Sequence, residues 1–272
     1  LTKYISNNIP INFKQEEKNN LPELNIFIPY ENLRSIQEDR LLAIKKGFLS
    51  NPSIVKGIVW HNGEKFDMDV RLKGDLPTHW RAAKRYSLRI KLNKNNRNSK
   101  ESILGMRTFS LHKLRARAYP YEYIFQDIIA KFNFPSVSHR IVKVKLNGTD
   151  WGLMDMQEHW GTEMLEKNKL KNSLILKFGS SYNRDYKYKS GTTIPVSSYW
   201  LTNPRLFFDF SGISKKNLLP YQKSQYEYIL ESLKEPHYYK KLFNDKQLLK
   251  LDEILKVWGN FHPIHPENSR FY

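Results

Sequence analysis

"SIVKGIVWHNGEKFDMDVRLKGDLPTHWRAAKRYSLRIKL", residues 53–92, decides the fold. Apolar and polar residues alternate on both sides of His61-Asn62-Gly63, which reads as two strands around a hairpin turn. "YSLRIKL" (86–92) alternates again and reads as a third strand. Between the second and third strands lies a turn crowded with Lys, Arg and His against one acid, Asp75. In extended chain, Arg71 and Lys73 point to one face, and Leu72 and Gly74 to the other. Arg89 and Lys91 share a face of the next strand. Gly74 and the turn around Pro77 allow backbone to approach a ligand closely. On composition alone the cluster reads as a solvated basic face with a loop at its tip. The sharper readings are a polyanion patch or a phosphate site. Lys73, Arg81 and Arg85 are expected to stay solvated.

Outward from this stretch, "ELNIFIP" (23–29) reads as a strand. "ENLRSIQEDRLLAIKKGFL" (31–49) reads as a helix stopped at Asn51-Pro52. "AYPYEYIFQDIIAKF" (118–132) is the clearest helix. Tyr121, Ile124, Phe125, Ile128, Ile129 and Phe132 form its apolar face, and Glu122 sits beside it. "RIVKVKLNGTDWGLMDMQEHW" (140–160) is a second hairpin with its turn at Asn147-Gly148. "SLILKF" (173–178) is a short strand, and residues 222–257 carry two helical patterns. The plan is α+β. Residues 1–20 are a polar lead-in. Residues 21–180 form a strand-rich N-terminal part, with an antiparallel sheet and the 118–132 helix. Residues 181–272 begin a helical C-terminal part. A cleft between two such parts is a frequent ligand site.

The chain has 272 residues, and 45 Lys and Arg stand against 27 Asp and Glu, for a net charge of +18. Such a field draws anions without choosing among nucleotides, nucleic acid, acidic glycans and lipid headgroups. There is no cysteine, which excludes disulfides, Cys zinc sites and Cys nucleophiles. No apolar run is long enough to span a membrane. The first residue is Leu1, and the last, Phe271-Tyr272, fall in strand-like sequence. The expectation is a fragment lacking a leader or anchor and a C-terminal part.

Three further features are candidates for chemistry. Glu122 is either an exposed helix-border carboxylate or the partner of a sheet lysine. Glu158 ends an apolar strand, where a carboxylate needs a partner or water; a metal or ribose contact and a helix cap are both open. In "HPIHPEN" (262–268), His262 and His265 suggest a metal pair, but the prolines oppose a regular helix there. No third ligand completes a zinc site. There is no Walker A loop and no G-x-G-x-x-G.

"VRLKGD", "KRYSLRIKL", "GMRTFSLHKLRARAYPYEYIFQDIIAKFNFP", "VKVKLNGTDWGLMDMQEHW", "SLILKF" and "HPENSRFY" occur in the order seen in CotH-like proteins, the spore-coat-protein-H kinases. The chain resembles that family over about residues 20–180 and 255–272. The resemblance implies an atypical protein-kinase-like fold that uses ATP and Mg²⁺ or Mn²⁺ to phosphorylate a protein or surface polymer. It implies a location outside the cytosol or at the cell surface. By position it implies that Arg71 and Lys84 meet the nucleotide phosphates and that Glu122 pairs with the lysine; Arg89 is expected to be the third cation turned inward. Glu158 would be the acidic residue closing the second hairpin. His265 and Asn268 would stand in the catalytic loop, with Asn268 a metal ligand.

Two departures bear on activity. A kinase catalytic loop has an Asp base five residues before its Asn, and Pro263 stands there. The second metal-binding Asp would lie past residue 272. A pseudokinase scaffold in surface-polymer assembly is therefore an alternative. Another is a non-catalytic module for an anionic glycan or nucleic acid, suggested by the charge and by "SSYNRDYKYKSG" (180–191). No nucleic-acid-binding motif is present.

Overall fold

The two Asn-Gly turns set the first local geometry. Asn62 and Gly63 take φ of 50° and 78°, and Asn147 and Gly148 take 46° and 78°. Both centres are left-handed, which suits the right-handed twist of paired strands. The computed structural model describes residues 21–93, 102–178, 208–210, 217–232, 242–259 and 270–272. Along them run β1 (Glu23–Phe27), α1 (Tyr30–Lys46), β2 (Val55–His61), β3 (Glu64–Leu72), α2 (Pro77–Trp80), β4 (Leu88–Leu92) and β5 (Thr108–Lys113). A 3-10 turn (Leu114–Arg117) precedes α3 (Tyr121–Lys131), β6 (His139–Leu146), β7 (Thr149–Glu158) and α4 (Thr162–Lys167). The remainder holds β8 (Leu176–Phe178), β9 (Phe208–Phe210), α5 (Pro220–Ser232), α6 (Asp245–Trp258) and β10 (Arg270–Phe271). The fold is thus mixed, with strands predominating before residue 180 and helices after it among the described residues.

The N-terminal strands pair antiparallel as expected, except at one seam. They close into a seven-stranded barrel in the order β1-β2-β3-β4-β5-β7-β6. The closing pair, β1 with β6, is parallel, with Glu23 opposite Lys143 and Ile26 opposite Leu146. Asn147 clasps this seam. Its side chain accepts from Ile28 N and donates to Ile28 O, each at 2.8 Å. Closure removes the sheet edges that would otherwise need covering.

Inward-facing residues alternate along each strand and fill the barrel. Phe66, Met68, Val70 and Leu72 of β3 and Leu88, Ile90 and Leu92 of β4 are buried in one cluster with Phe109 and Leu111 of β5 and Met154 and Met156 of β7. Helix α1 adds Ile36 and Ala43 to this cluster. The helix ends earlier than the Asn51-Pro52 stop, because Gly47 at φ 81° turns its amide back onto Ala43 O. The start of α3 likewise falls later, after Pro120. Strand β5 was not apparent in the sequence; one face carries Phe109 and Leu111, the other Ser110 and His112, and all four are buried.

Outside the barrel, β8 lies between β10 and β9 in a small antiparallel sheet. Phe125 and Ile129 of α3 pack with Ile254 and Leu255 of α6, so the helix between β5 and β6 is tied to α6.

Phe109 is fully buried at the centre of this arrangement. Phe109→Ala is expected to lower the unfolding free energy by about 3 to 5 kcal/mol. Urea denaturation followed by circular dichroism measures it.

Candidate anion-binding site

The same alternation that fills the barrel puts a polar row on its outer face. Paired residues in an antiparallel sheet share a face. Arg71 is opposite Arg89, Arg89 opposite Ser110, Ser110 opposite Gln157, and Gln157 opposite His139. The row crosses β3, β4, β5, β7 and β6. A second row lies beside it: Lys73 N donates to Ser87 O, and His112 stands opposite Asp155.

The turn between β3 and β4 folds over one end of these rows. Gly74 takes φ 98°, and a Cβ there would stand 2.2 Å from His79 Cγ. Only glycine leaves room for the His79 ring at this point. Trp80 is buried and its Nε1 donates to Gly74 O at 3.0 Å. Arg40 of α1 donates to the carbonyls of Trp80, Arg81 and Ala82. These bonds satisfy the end of the short α2 and fix the turn to the barrel.

Sharing this region are Arg71, Lys73, Arg89, Arg117 and, from β10, Arg270. Burial, and then the repulsion of Arg71, Arg117 and Arg270, pulls the Arg89 guanidinium down to about 9. It still carries its charge at neutral pH. Burial, followed by Arg89 among the neighbouring charges, pushes the Lys73 ammonium well below its usual range. Burial lowers Arg71 as well. Asp75 is the acid whose charge opposes these effects at Arg71 and Lys73. Among the described residues, the buried Nε and one terminal nitrogen of Arg89 and the Nε of Arg117 have no hydrogen-bond partner. Buried donors without partners are costly, and buried charges ordinarily need a counter-charge. Among the described residues the cluster is thus short of negative charge.

Three histidines border it. His79 Nδ1 and His112 Nδ1 lie 3.0 and 3.1 Å from the Ser87 hydroxyl. Burial and the nearby Arg117 take His79 to about 4. Burial, then cation repulsion, also puts His112 and His159 well below their ordinary value. Lys177 of β8 is among the cations acting on His159. At the far end of the row, His139 Nδ1 faces both Asp155 oxygens at 3.0 Å. Gln157 accepts from Arg117 and turns its amide toward His139 Nε2. That arrangement assigns the His139 proton to Nδ1 and holds Arg117 in place.

Of the residues expected to act, Arg71 and Arg89 are brought together. Lys84 lies in the exposed part of the turn and makes no ion pair among the described residues. Glu122 accepts from Gln126 of its own helix at 3.3 Å rather than pairing with a lysine. Glu158 is buried, accepts from Ser138 N at 2.9 Å and lies 3.5 Å from Lys167 Nζ. It stands opposite Phe109, one residue out of phase with the Gln157 row. His262, His265 and Asn268 lie outside the described residues. Lys73 departs from expectation. It is half-buried and desolvated inside the cluster, whereas Arg81 and Arg85 are exposed as expected. Its alternation with Leu72 already placed it beside Arg71. Arg117 and His112 gave no comparable sign, because β5 and the 3-10 turn after it were not apparent.

Among the described residues, no group of three His, Asp or Glu could hold a metal ion. No helix among them is long and apolar enough to cross a membrane.

The family model described as CotH kinase protein matches residues 70–251. This chain belongs to the CotH kinase family. The match begins at Val70, one residue before Arg71, and takes in the whole polar row. No curated protein matches the chain.

Two outcomes follow for this CotH-family protein without ligand. Arg89→Met is expected to raise its unfolding free energy by about 1 to 2 kcal/mol, since it removes a desolvated cation lacking a counter-charge. Thermal denaturation compares the two proteins. Stability is also expected to fall as pH drops from about 6.5 toward 4. His79, near 4 when folded, binds its proton in the unfolded chain first, so acid favours unfolding by about 3 kcal/mol across that window from this residue alone. A pH series of melting temperatures tests the sign.

Proposed function

We propose that the protein is a phosphotransferase that uses ATP with Mg²⁺ or Mn²⁺ to phosphorylate a protein or cell-surface substrate, acting outside the cytosol. The observation that carries this reading is the desolvated, under-neutralised cluster of Arg71, Lys73, Arg89 and Arg117 on the barrel's outer face. A phosphate chain supplies several oxygens and several negative charges in a small volume, which is what the unpartnered guanidinium donors lack. Membership of the CotH kinase family supports a kinase-like activity.

In such a reaction a substrate hydroxyl oxygen bonds to the terminal phosphorus and gives up its proton to solvent. The bond from that phosphorus to the bridging oxygen breaks, and the nucleoside diphosphate leaves with the electron pair. The described residues contribute to binding and charge. Arg71 and Arg89 stand side by side across two strands, and both carry N–H donors. Arg117 is oriented by Gln157, and Lys73 adds a point charge. Held in place before the phosphates arrive, these groups stabilise negative charge without having to rearrange. A divalent ion, if bound, would offset part of the phosphate charge. The described residues offer no cluster for it, and the implied ligand Asn268 lies outside them, so no step here is derived through the metal. The kinase-like two-lobed arrangement belongs to the same proposal. The barrel would be the phosphate-binding lobe and α5 and α6 part of the other.

Titration calorimetry of ATP with Mg²⁺ tests the reading. Arg89→Met and Lys73→Met are each expected to weaken binding at least tenfold, or about 1.4 kcal/mol. Lys84→Met, in the exposed turn, is expected to change it by less than about threefold. Binding indifferent to Arg89 and Lys73 would remove the cluster from the phosphate site. A scaffold without turnover would bind ATP alike and release no ADP in the presence of candidate acceptors.

A further inference from the structure

The Ser87 hydroxyl sits between two histidines and has a single proton. It can donate to one Nδ1 and must accept from the other. His112 is fully buried. Its Nε2 has no hydrogen-bond partner among the described residues. The groups facing His112 are Arg89 from β4, Lys73 from the end of β3, Arg117 from the 3-10 turn, His79 from α2 and Asp155 opposite it on β7. Asp155 is already committed to His139. The remaining neighbours are cationic or neutral donors.

In the absence of an anion, this field favours a bare lone pair at His112 Nε2 and a proton at Nδ1. His112 Nδ1–H then donates to Ser87 Oγ, and Ser87 O–H donates to His79 Nδ1. When phosphate oxygens enter beside Arg89 and Arg117, the same nitrogen faces an acceptor instead of donors. A lone pair there becomes unfavourable, and an N–H becomes a ligand. Ser87 need not rearrange, because its two hydrogen bonds serve both states.

We propose that His112 is a further ligand of the bound phosphate chain, and that one proton from solvent joins its Nε2 as the anion binds, with Ser87 holding the ring in position. The step balances simply. Imidazole becomes imidazolium, no covalent bond to the ligand forms, and the proton leaves again with the anion. Binding is therefore linked to proton uptake, and acid strengthens it. This inference rests on the cluster being a phosphate site.

The experiment is titration calorimetry of the full chain with cyclic trimetaphosphate, whose own charge is constant near neutral pH. Titrations are run in two buffers of different ionisation enthalpy, which counts protons. The expected result for the wild type is uptake approaching one proton per anion, with affinity rising by up to about tenfold per unit fall in pH. His112→Asn is expected to bind more weakly, with the uptake lost and the pH dependence flattened. His79→Gln, whose amide oxygen still accepts from Ser87, is expected to keep the uptake. Nitrogen NMR of histidine-labelled wild type reads Nε2 directly, should the Asn variant not fold. Anion binding without proton uptake, or uptake persisting in His112→Asn, overturns the histidine inference and leaves the phosphate site standing. No binding of either trimetaphosphate or ATP overturns both.

Discussion

The structure turns on repulsion. Arg71 and Arg89 are forced together by strand register, and Arg117 and Lys73 crowd the same face. A sheet stabilised only for its own sake would not place like charges directly opposite each other, since such pairs oppose folding. It also would not bury guanidinium donors without acceptors. The remainder of the barrel works to hold this face in place. The apolar interior fixes the strand phase, the Asn147 clasp closes the seam, and Arg40 fastens the turn that carries His79. Stability is given up locally at the cluster and supplied by the core beneath it, as often happens at functional sites.

The rigidity of the support explains how such a cluster can persist. The backbone of Arg89 cannot part from that of Arg71 without moving β4, whose alternate residues Leu88, Ile90 and Leu92 are locked in the core. Arg117 is tethered through Gln157 and His139 to Asp155. The cations are thus preorganised, and an arriving anion meets them without a reorganisation cost. The histidines add a different property. Desolvated and kept neutral by the cations, they are the groups whose protonation answers most directly to an added negative charge.

Much of this was legible in the sequence, for local reasons. Asn62-Gly63 and Asn147-Gly148 announce their hairpins through the positive φ they require. The alternation in "VRLKG" and "SLRIKL" puts Arg71 with Lys73 and Arg89 with Lys91 on single faces. What was not legible depends on contacts distant along the chain. The parallel pairing of β1 with β6 joins segments more than a hundred residues apart and has no turn to mark it. Strand β5 is buried on both faces, so its alternation of Ser110 and His112 with Phe109 and Leu111 carries no solvent-facing signal. Lys73 was assigned to solvent because a lysine usually lies there. Its burial follows from the covering turn and from the neighbouring arginines, neither of which is a property of its own strand. Lys84, on the turn's exposed side, shows the opposite case, where proximity in sequence to the cluster did not bring it in.

The central claim is that the buried cations stand in wait for a phosphate chain. Thermal unfolding at increasing ATP concentration tests it most directly, with wild type and Arg89→Met compared. A ligand bound only by the native state stabilises it by RT ln(1 + [L]/Kd), about 2.7 kcal/mol at a hundred times Kd. The account predicts that the wild type starts at the lower melting temperature and climbs with ATP, while Arg89→Met starts higher and needs at least ten times more ATP for the same climb. Parallel curves with equal shifts in both proteins would contradict it.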